Sequence, residues 1–234
     1  MTAQSETDPN TGLPVPNPAP GPRPGPVTLE GHYGRVERLA QRHDKDLWEA
    51  VRGHDTIWAY LSSYGPFLDF PAFSKWIASR LPLEDPYSYA VVEPSGRAVG
   101  ISALMEIKPA MRVIEVGHIV YSPALQRTRL ATEAQYLLAK YAFETLGYRR
   151  YEWKCNALNA PSWRAALRYG FVYEGTLRQH MIAKARNRDT AYFSMLDSEW
   201  PARKLAFERW LAPENFDGDG RQKTSLAALN APGD

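Results

Sequence analysis

Residues 113–147 read VIEVGHIVYSPALQRTRLATEAQYLLAKYAFETLG, and this stretch decides the fold. Val113 to Tyr121 is rich in β-branched residues and halts at Ser122-Pro123, the pattern of a strand and its stop. Leu130, Ala134, Leu137, Leu138, Tyr141, Ala142 and Leu146 fall on one helical stripe, closed by Gly147. A strand, a short loop and a helix N-terminus therefore follow one another closely. The first amide groups of such a helix lack intrahelical partners and carry the positive end of its dipole, so the junction suits an anion. Arg127 and Arg129 add full charges there.

Outward from this stretch, Tyr87–Val92 and Ala98–Met105 predict a hairpin turning at Glu93-Pro94-Ser95-Gly96. Two helices are expected before it, within His43–Tyr60 and over Phe70–Leu81, with His43 and His54 at the surface. After it come a short strand over Tyr151–Cys155 and a helix over Ala160–Tyr169, capped by Asn159 and stopped by Gly170. Phe171–Glu174, Gln179–Lys184 and Asp189–Leu196 read as closing strands. This order predicts an α+β fold with a mixed sheet rather than regular βαβ alternation. Eight of the 19 prolines precede Val27, so residues 1–26 are expected to form a disordered Pro-rich tail. The folded domain is expected over 27–212, with a polar C-terminal tail over 213–234.

Composition excludes several classes. The chain has 234 residues, with 28 Lys and Arg against 26 Asp and Glu, a net charge of +2. That balance argues against a dedicated DNA wrapper, and no nucleic-acid partner is expected. The single cysteine, Cys155, excludes a disulfide framework and a multi-cysteine zinc site; it reads as a buried, inert thiol. No HExxH or comparable spacing points to a metal. No run reaches the roughly 18 apolar residues of a membrane span, and the N-terminus lacks the pattern of a signal peptide, so no membrane partner and a cytoplasmic location are expected. The near-zero charge is unevenly spread. Residues 147–188 hold nine Lys and Arg against only Glu152 and Glu174, a local +7 beside the anion site.

Gln126-Arg127-Thr128-Arg129-Leu130-Ala131 resembles the Q/R-x-x-G-x-G/A motif of the GCN5-related N-acetyltransferases (GNAT), with Arg129 in place of the middle glycine. Downstream, Asn159, Ser162, Gly170, Phe171, Glu174 and Gly175 resemble the branch that acetylates the N-termini of ribosomal proteins. The resemblance spans about residues 28–200. It implies a GNAT fold, with a mostly antiparallel central sheet splayed at a bulged strand and flanked by helices. It implies acetyl-CoA as co-substrate, held by Ile119, Val120 and Tyr121 on the splayed strand, by Gln126, Arg127, Thr128, Arg129, Leu130 and Ala131 in the cradle, and by Asn159 and Ser162. It implies direct N-acetyl transfer to a primary amine, on a peptide N-terminus or a small molecule, by a monomer or homodimer.

Transfer to an amine needs a base, a donor for the developing oxyanion and a proton or dipole for the departing thiolate. Glu115 lies eleven positions before Gln126, an offset that resembles the general-base glutamate of the histone-acetylating branch, and burial among Val113, Ile114 and Val116 would raise its pKa. His118 is a second candidate base. In a regular strand it faces away from Glu115, but a bulge near Gly117 to Val120 would bring both to one cleft. The resemblance makes Ser162 the acid toward the CoA sulfur, because Ala166 stands where many members carry a tyrosine. The base of the serine-acetylating members falls at Met181. His180 is a weaker site candidate. These departures, with Arg129, leave a non-catalytic acyl-CoA-binding sensor as the alternative.

Overall fold

A computed structural model describes residues 12–231. One sheet of eight strands runs through it in the order β1-β2-β3-β4-β5-β6-β8-β7. The strands are β1 (Thr28–Glu30), β2 (Arg35–Arg38), β3 (Tyr87–Val92), β4 (Ala98–Lys108), β5 (Val113–Tyr121), β6 (Arg150–Asn156), β7 (Val172–Ala183) and β8 (Arg186–Leu196). Only β5 and β6 pair in parallel. They are joined by the crossover helix that such a pair needs, α3 (Arg129–Lys140), which continues through a π-helical turn over Tyr141–Thr145. The fold is the expected α+β architecture, a mostly antiparallel sheet flanked by helices.

Alternation along β3 shows how the sheet divides the core. Tyr89 and Val91 face the side covered by α3 and α5 (Trp200–Leu211), where Leu138, Trp200 and Phe207 are buried. Ala90 and Val92 face α1 (Asp44–Val51) and α2 (Phe70–Arg80), against Leu47, Val51, Trp58, Phe73 and Ile77. The remaining helices are α4 (Ala160–Arg168) and α6 (Leu226–Leu229).

Several elements differ from the sequence reading. The segment His43–Tyr60 is not one helix: α1 ends at Val51 and a separate 3₁₀ turn spans Asp55–Trp58. His43 is buried, not superficial; its Nδ1 accepts the Ala40 amide at 3.1 Å and its Nε2 meets Glu37 at 2.8 Å. The closing strands merge into the long β7–β8 hairpin. β1 and β2 escape a hydrophobicity count because they are short and charged. They are held by Glu133 of α3, whose carboxylate accepts the His32 and Tyr33 amides at 2.6 and 2.8 Å. A side chain at position 31 would collide with that carboxylate, its Cβ only 2.3 Å away, so the turn requires glycine.

Both expected tails are partly docked. In the N-terminal tail, the Gly25 amide donates to Tyr141 Oη at 3.0 Å, its carbonyl accepts from Tyr89 Oη at 3.1 Å, and the Gly21 amide donates to Pro109 O at 3.0 Å. Backbone hydrogen bonds and one buried proline, Pro24, order this stretch, which composition alone does not show. Residues 1–11 of that expected tail lie outside the described residues. At the other end, Phe216 packs on the core and Leu226 is fully buried, two anchors too widely spaced to register as a pattern. Among the described residues no helix is long and apolar enough to cross a membrane.

Phe73 is fully buried between both helices and the sheet. Phe73→Ala should cost about 3–5 kcal/mol, read as a lowered midpoint in urea denaturation.

Candidate active site

The site begins where β5 changes geometry. Ala103 of β4 lies opposite Gly117 and Ile101 opposite Val120, so His118 and Ile119 share Ser102 as their single partner. This is a β-bulge, and His118 takes a left-handed φ of 49° to make it. On the other side of β5, pairing with β6 ends at Val116 opposite Trp153. Beyond that point the two strands separate, leaving backbone groups of β5 without strand partners. The bulge falls where the sequence placed it.

The gap opens into a cleft of about 1400 Å³ that runs from the cradle to the loop over residues 54–65. At the cradle, Thr128 caps α3: its Oγ1 accepts the Ala131 amide at 3.1 Å and donates to Leu125 O at 2.7 Å. Arg127 bends the loop with a φ of 64°. Gln126 Nε2 donates to Tyr121 O at 2.9 Å, tying the loop to the strand end. The amides of Arg127, Arg129 and Leu130 take no acceptor among the described residues, so the helix start keeps its free donors. Arg129 does not fill the space left by the missing glycine. Its guanidinium turns outward and lies 3.7 Å over the Phe216 ring and 5.5 Å from Tyr33. The docked C-terminal segment thus provides the face that this arginine needs.

Ile119, Tyr121, Gln126, Arg127, Thr128, Arg129, Ala131, Asn159 and Ser162 all line the cleft. Val120 and Leu130 do not: the Val120 side chain is buried in the α1–α2 core and Leu130 in the α3 core. Alternation along the strand and the stripe of the helix send these two side chains inward, so only their backbone is available. Asn159 Oδ1 accepts the Ser162 amide at 3.2 Å, capping α4. Trp153 Nε1 donates to Ser162 Oγ at 3.1 Å, and the Ser162 hydroxyl lies beside the Cys155 thiol. Cys155 is buried and lines the same wall, and burial raises its thiol pKa.

Glu115 and His118 do reach one cleft. Glu115 is 5% exposed and sits opposite Glu152 in the parallel pair. Two facing carboxylates repel, and Lys154 resolves the conflict by bridging them at 2.8 and 3.1 Å. Arg150 extends the ladder to Glu152 at 2.7 Å and to Glu174 at 2.7 Å. Burial pushes the Glu115 carboxyl up to about 7, with the Lys154 ammonium holding back part of the rise. His118 behaves differently. Burial, reinforced by Arg80 and Arg188, pulls it down to about 4, so at neutral pH it is an uncharged ring beside Tyr64 and a weak base. His180 lines the cleft with Nδ1 at 3.0 Å from Thr190 Oγ1. No group of three or more His, Cys, Asp or Glu among the described residues could hold a metal.

A model of the acetyltransferase (GNAT) domain matches residues 36–172, more than half of the chain. The chain belongs to the GNAT family. A GCN5-related N-acetyltransferase from Brucella melitensis is 46% identical, with a TM-score of 0.88 over 91% of this chain and 97% of that one. A GNAT-family protein from Chromobacterium violaceum ATCC 12472 is 44% identical, with a TM-score of 0.77 over 83% and 98%. A spermidine N-acetyltransferase mutant from Vibrio cholerae, 18% identical over 72% and 96% with a TM-score of 0.56, shares the fold alone. No curated protein matches the sequence. Family membership makes the chain an acyltransferase enzyme, and the sensor reading is not favoured.

Sequence reasoning counted Lys154 and Arg188 only within a basic cluster and passed over Ser62. Of the aromatics Trp48, Trp58, Tyr60, Tyr64, Phe67 and Trp76, one or two of which were expected at an acceptor pocket, Tyr60 and Tyr64 line the cleft. The periodicity of β6 carried a usable signal: Glu152 and Lys154 share a face two residues apart, which marks a charged, inward-looking strand end. Of the nine cations in that cluster, Arg150 and Lys154 are in ion pairs. Lys184 is bonded to backbone carbonyls and Arg168 stacks on Trp210. Much of the +7 is therefore structural.

Thr128→Ala removes the cap of the cradle helix. It should cost about 1 kcal/mol of stability, measured by denaturant unfolding.

Proposed function

We propose that this enzyme transfers an acetyl group from acetyl-CoA directly to a primary amine. The carrying observation is the pairing, in one cleft, of a helix start with free backbone amides and a buried carboxylate, Glu115. The residues fit the donor. The unpaired amides of Arg127, Arg129 and Leu130 would hold its pyrophosphate, with the helix dipole behind them. Arg164 and Arg168 border the same end and add positive charge. The unpaired backbone of β5 around His118 and Ile119 would hold the pantetheine arm and face the thioester carbonyl. Bound there, acetyl-CoA supplies an acetyl group already activated as a thioester, whose C–S bond breaks as the new C–N bond forms.

Glu115 takes the proton that the ammonium must lose. With a pKa near 7 it is largely ionised at slightly alkaline pH and still basic enough to accept. Lys154 holds its carboxylate in place. Ser162, fixed by Trp153 and by the α4 cap, turns its hydroxyl proton toward the departing sulfur. His118 serves as a neutral hydrogen-bonding wall rather than as the base. The Asn159 and Ser162 likeness to the ribosomal-protein branch extends to this donor end. The acceptor end does not follow it, since Met181 stands at that branch's base position.

Isothermal titration should show acetyl-CoA binding at micromolar Kd, and absence of binding at tens of micromolar refutes the reading. Activity should rise with pH as Glu115 ionises, half-maximal at about pH 7, and level off roughly one unit higher, because the charged form is the base. Glu115→Gln should lower kcat about 100-fold and abolish that rising limb while leaving acetyl-CoA affinity unchanged. An unchanged profile excludes Glu115 as the base.

A further inference from the structure

The end of the cleft opposite the cradle is roofed by three side-chain ties. Lys184, at the tip of the β7–β8 hairpin, donates to Trp58 O at 2.9 Å and Gly65 O at 2.8 Å. Arg188 Nη1 donates to Ser62 Oγ. Tyr60 Oη reaches across to Leu158 O at 3.1 Å, joining the same loop to the entry of α4. The loop over residues 54–65 is thus fastened on both flanks.

The charges in this compartment are almost all committed. Lys154 is shared by Glu115 and Glu152. Lys108 pairs with Glu106 at 3.5 Å. Arg188 is the exception: it lines the cleft, yet among the described residues it forms no ion pair. Its one acceptor is a neutral hydroxyl, its Nη2 bonds to nothing among the described residues, and its Nε is buried without a partner. A guanidinium in this setting has donor capacity that a planar anion would satisfy in bidentate fashion.

Position adds to the case. Arg188, Thr190 and Tyr192 share the face of β8 that looks into the cleft. Tyr192 lies opposite Lys154, whose ammonium is 4.7 Å from the Tyr192 ring. Arg188 is four residues further along, roughly 13 Å between Cα positions, and its long side chain shortens that gap. Glu115, held by Lys154, stands at one end of this span, and Arg188, which forms no ion pair among the described residues, stands at the other.

We infer that the acceptor is a small amine that also bears a carboxylate, with Arg188 binding the carboxylate while the amine faces Glu115. This rests on the acetyl-transfer reading above and specifies its substrate class. Polyamines and simple alkylamines lack the second group, so they leave Arg188 unsatisfied and are poor acceptors.

The test is an acetyl-CoA-dependent transfer assay over the amino acids, their carboxamides, short peptides, alkylamines and spermidine. A carboxylate acceptor should exceed its own carboxamide by about 100-fold in kcat/KM. Arg188→Gln should bring that ratio close to one, and Arg188→Lys should restore part of it. Ser62→Ala removes the tie but keeps the guanidinium, so it should retain the discrimination. Titration should show acetyl-CoA affinity unchanged in all three variants. Equal rates on acid and carboxamide in the wild type overturn the inference while leaving amine acetylation standing. So does an Arg188→Gln variant that keeps the ratio. Preference for spermidine or for peptides without an acidic group also overturns it. Acetyl-CoA binding with no transfer to any amine is a different result: it refutes the underlying reading and the inference with it.

Discussion

Everything at the site depends on two residues of β5 sharing one partner on β4. His118 and Ile119 face only Ser102, and His118 adopts a left-handed backbone to allow it. The bulge turns the strand away from β6, so the parallel pairing stops at Val116 and Trp153. It also changes the side-chain parity, bringing Glu115 and His118 into a cleft they would otherwise enter from opposite faces. A regular strand would satisfy more backbone groups and leave no cleft. At Gly117, next to the bulge, a Cβ would stand 2.5 Å from Met105 Sδ, so a larger residue there would have to displace that side chain.

The cleft needs walls that hold the two strands apart. On one side α3 is pinned by its Thr128 cap and by the hold of Glu133 on the β1–β2 turn. On the other, α4 is pinned by Asn159, and Ser162 is locked to Trp153 on β6. The Glu115–Lys154–Glu152 bridge joins β5 to β6 just before they diverge. Burying these three charges carries a desolvation cost that their mutual pairing offsets, and the residual cost is visible in the raised carboxyl of Glu115. The same atoms that tie the two strands are those proposed above as the acid–base group.

The fold was legible where periodicity is long. β5 matches the expected range Val113–Tyr121, and α2 and α4 fall within a residue of theirs. Legibility failed where order comes from single contacts. β1 and β2 are too short and charged to show a pattern, the Pro-rich stretch is fixed by tyrosine hydroxyls, and α6 is anchored by one leucine. α5 was not anticipated, although Trp200, Phe207 and Trp210 lie on its buried side. At the site, every candidate but Val120 and Leu130 lines the cleft, because the expectations concerned one continuous stretch and its neighbour helix. Partners that come from far along the chain, such as Lys154 for Glu115 and Phe216 for Arg129, could not be read from local spacing.

The two ends of the cleft are built from different materials, and this explains what a sequence can reveal about each. The cradle presents backbone amides and a helix dipole, which nearly any side chain can flank. Arg129 in place of glycine is tolerated for that reason, given an aromatic face on which to turn outward. What survives in sequence is the strand–loop–helix pattern, and that pattern marks the family. The opposite end works through side chains from three separate segments: the 54–65 loop, the end of β6 and the β7–β8 hairpin. Its chemistry is set by which charges those segments leave uncommitted after pairing with one another. Lys154 and Lys184 are consumed by the fold, whereas Arg188 is not. Counting cations along the chain cannot separate these cases, because the partners that neutralise them lie on other strands. On the proposed reading, acceptor specificity would follow from the residual charge of the assembled compartment rather than from any motif.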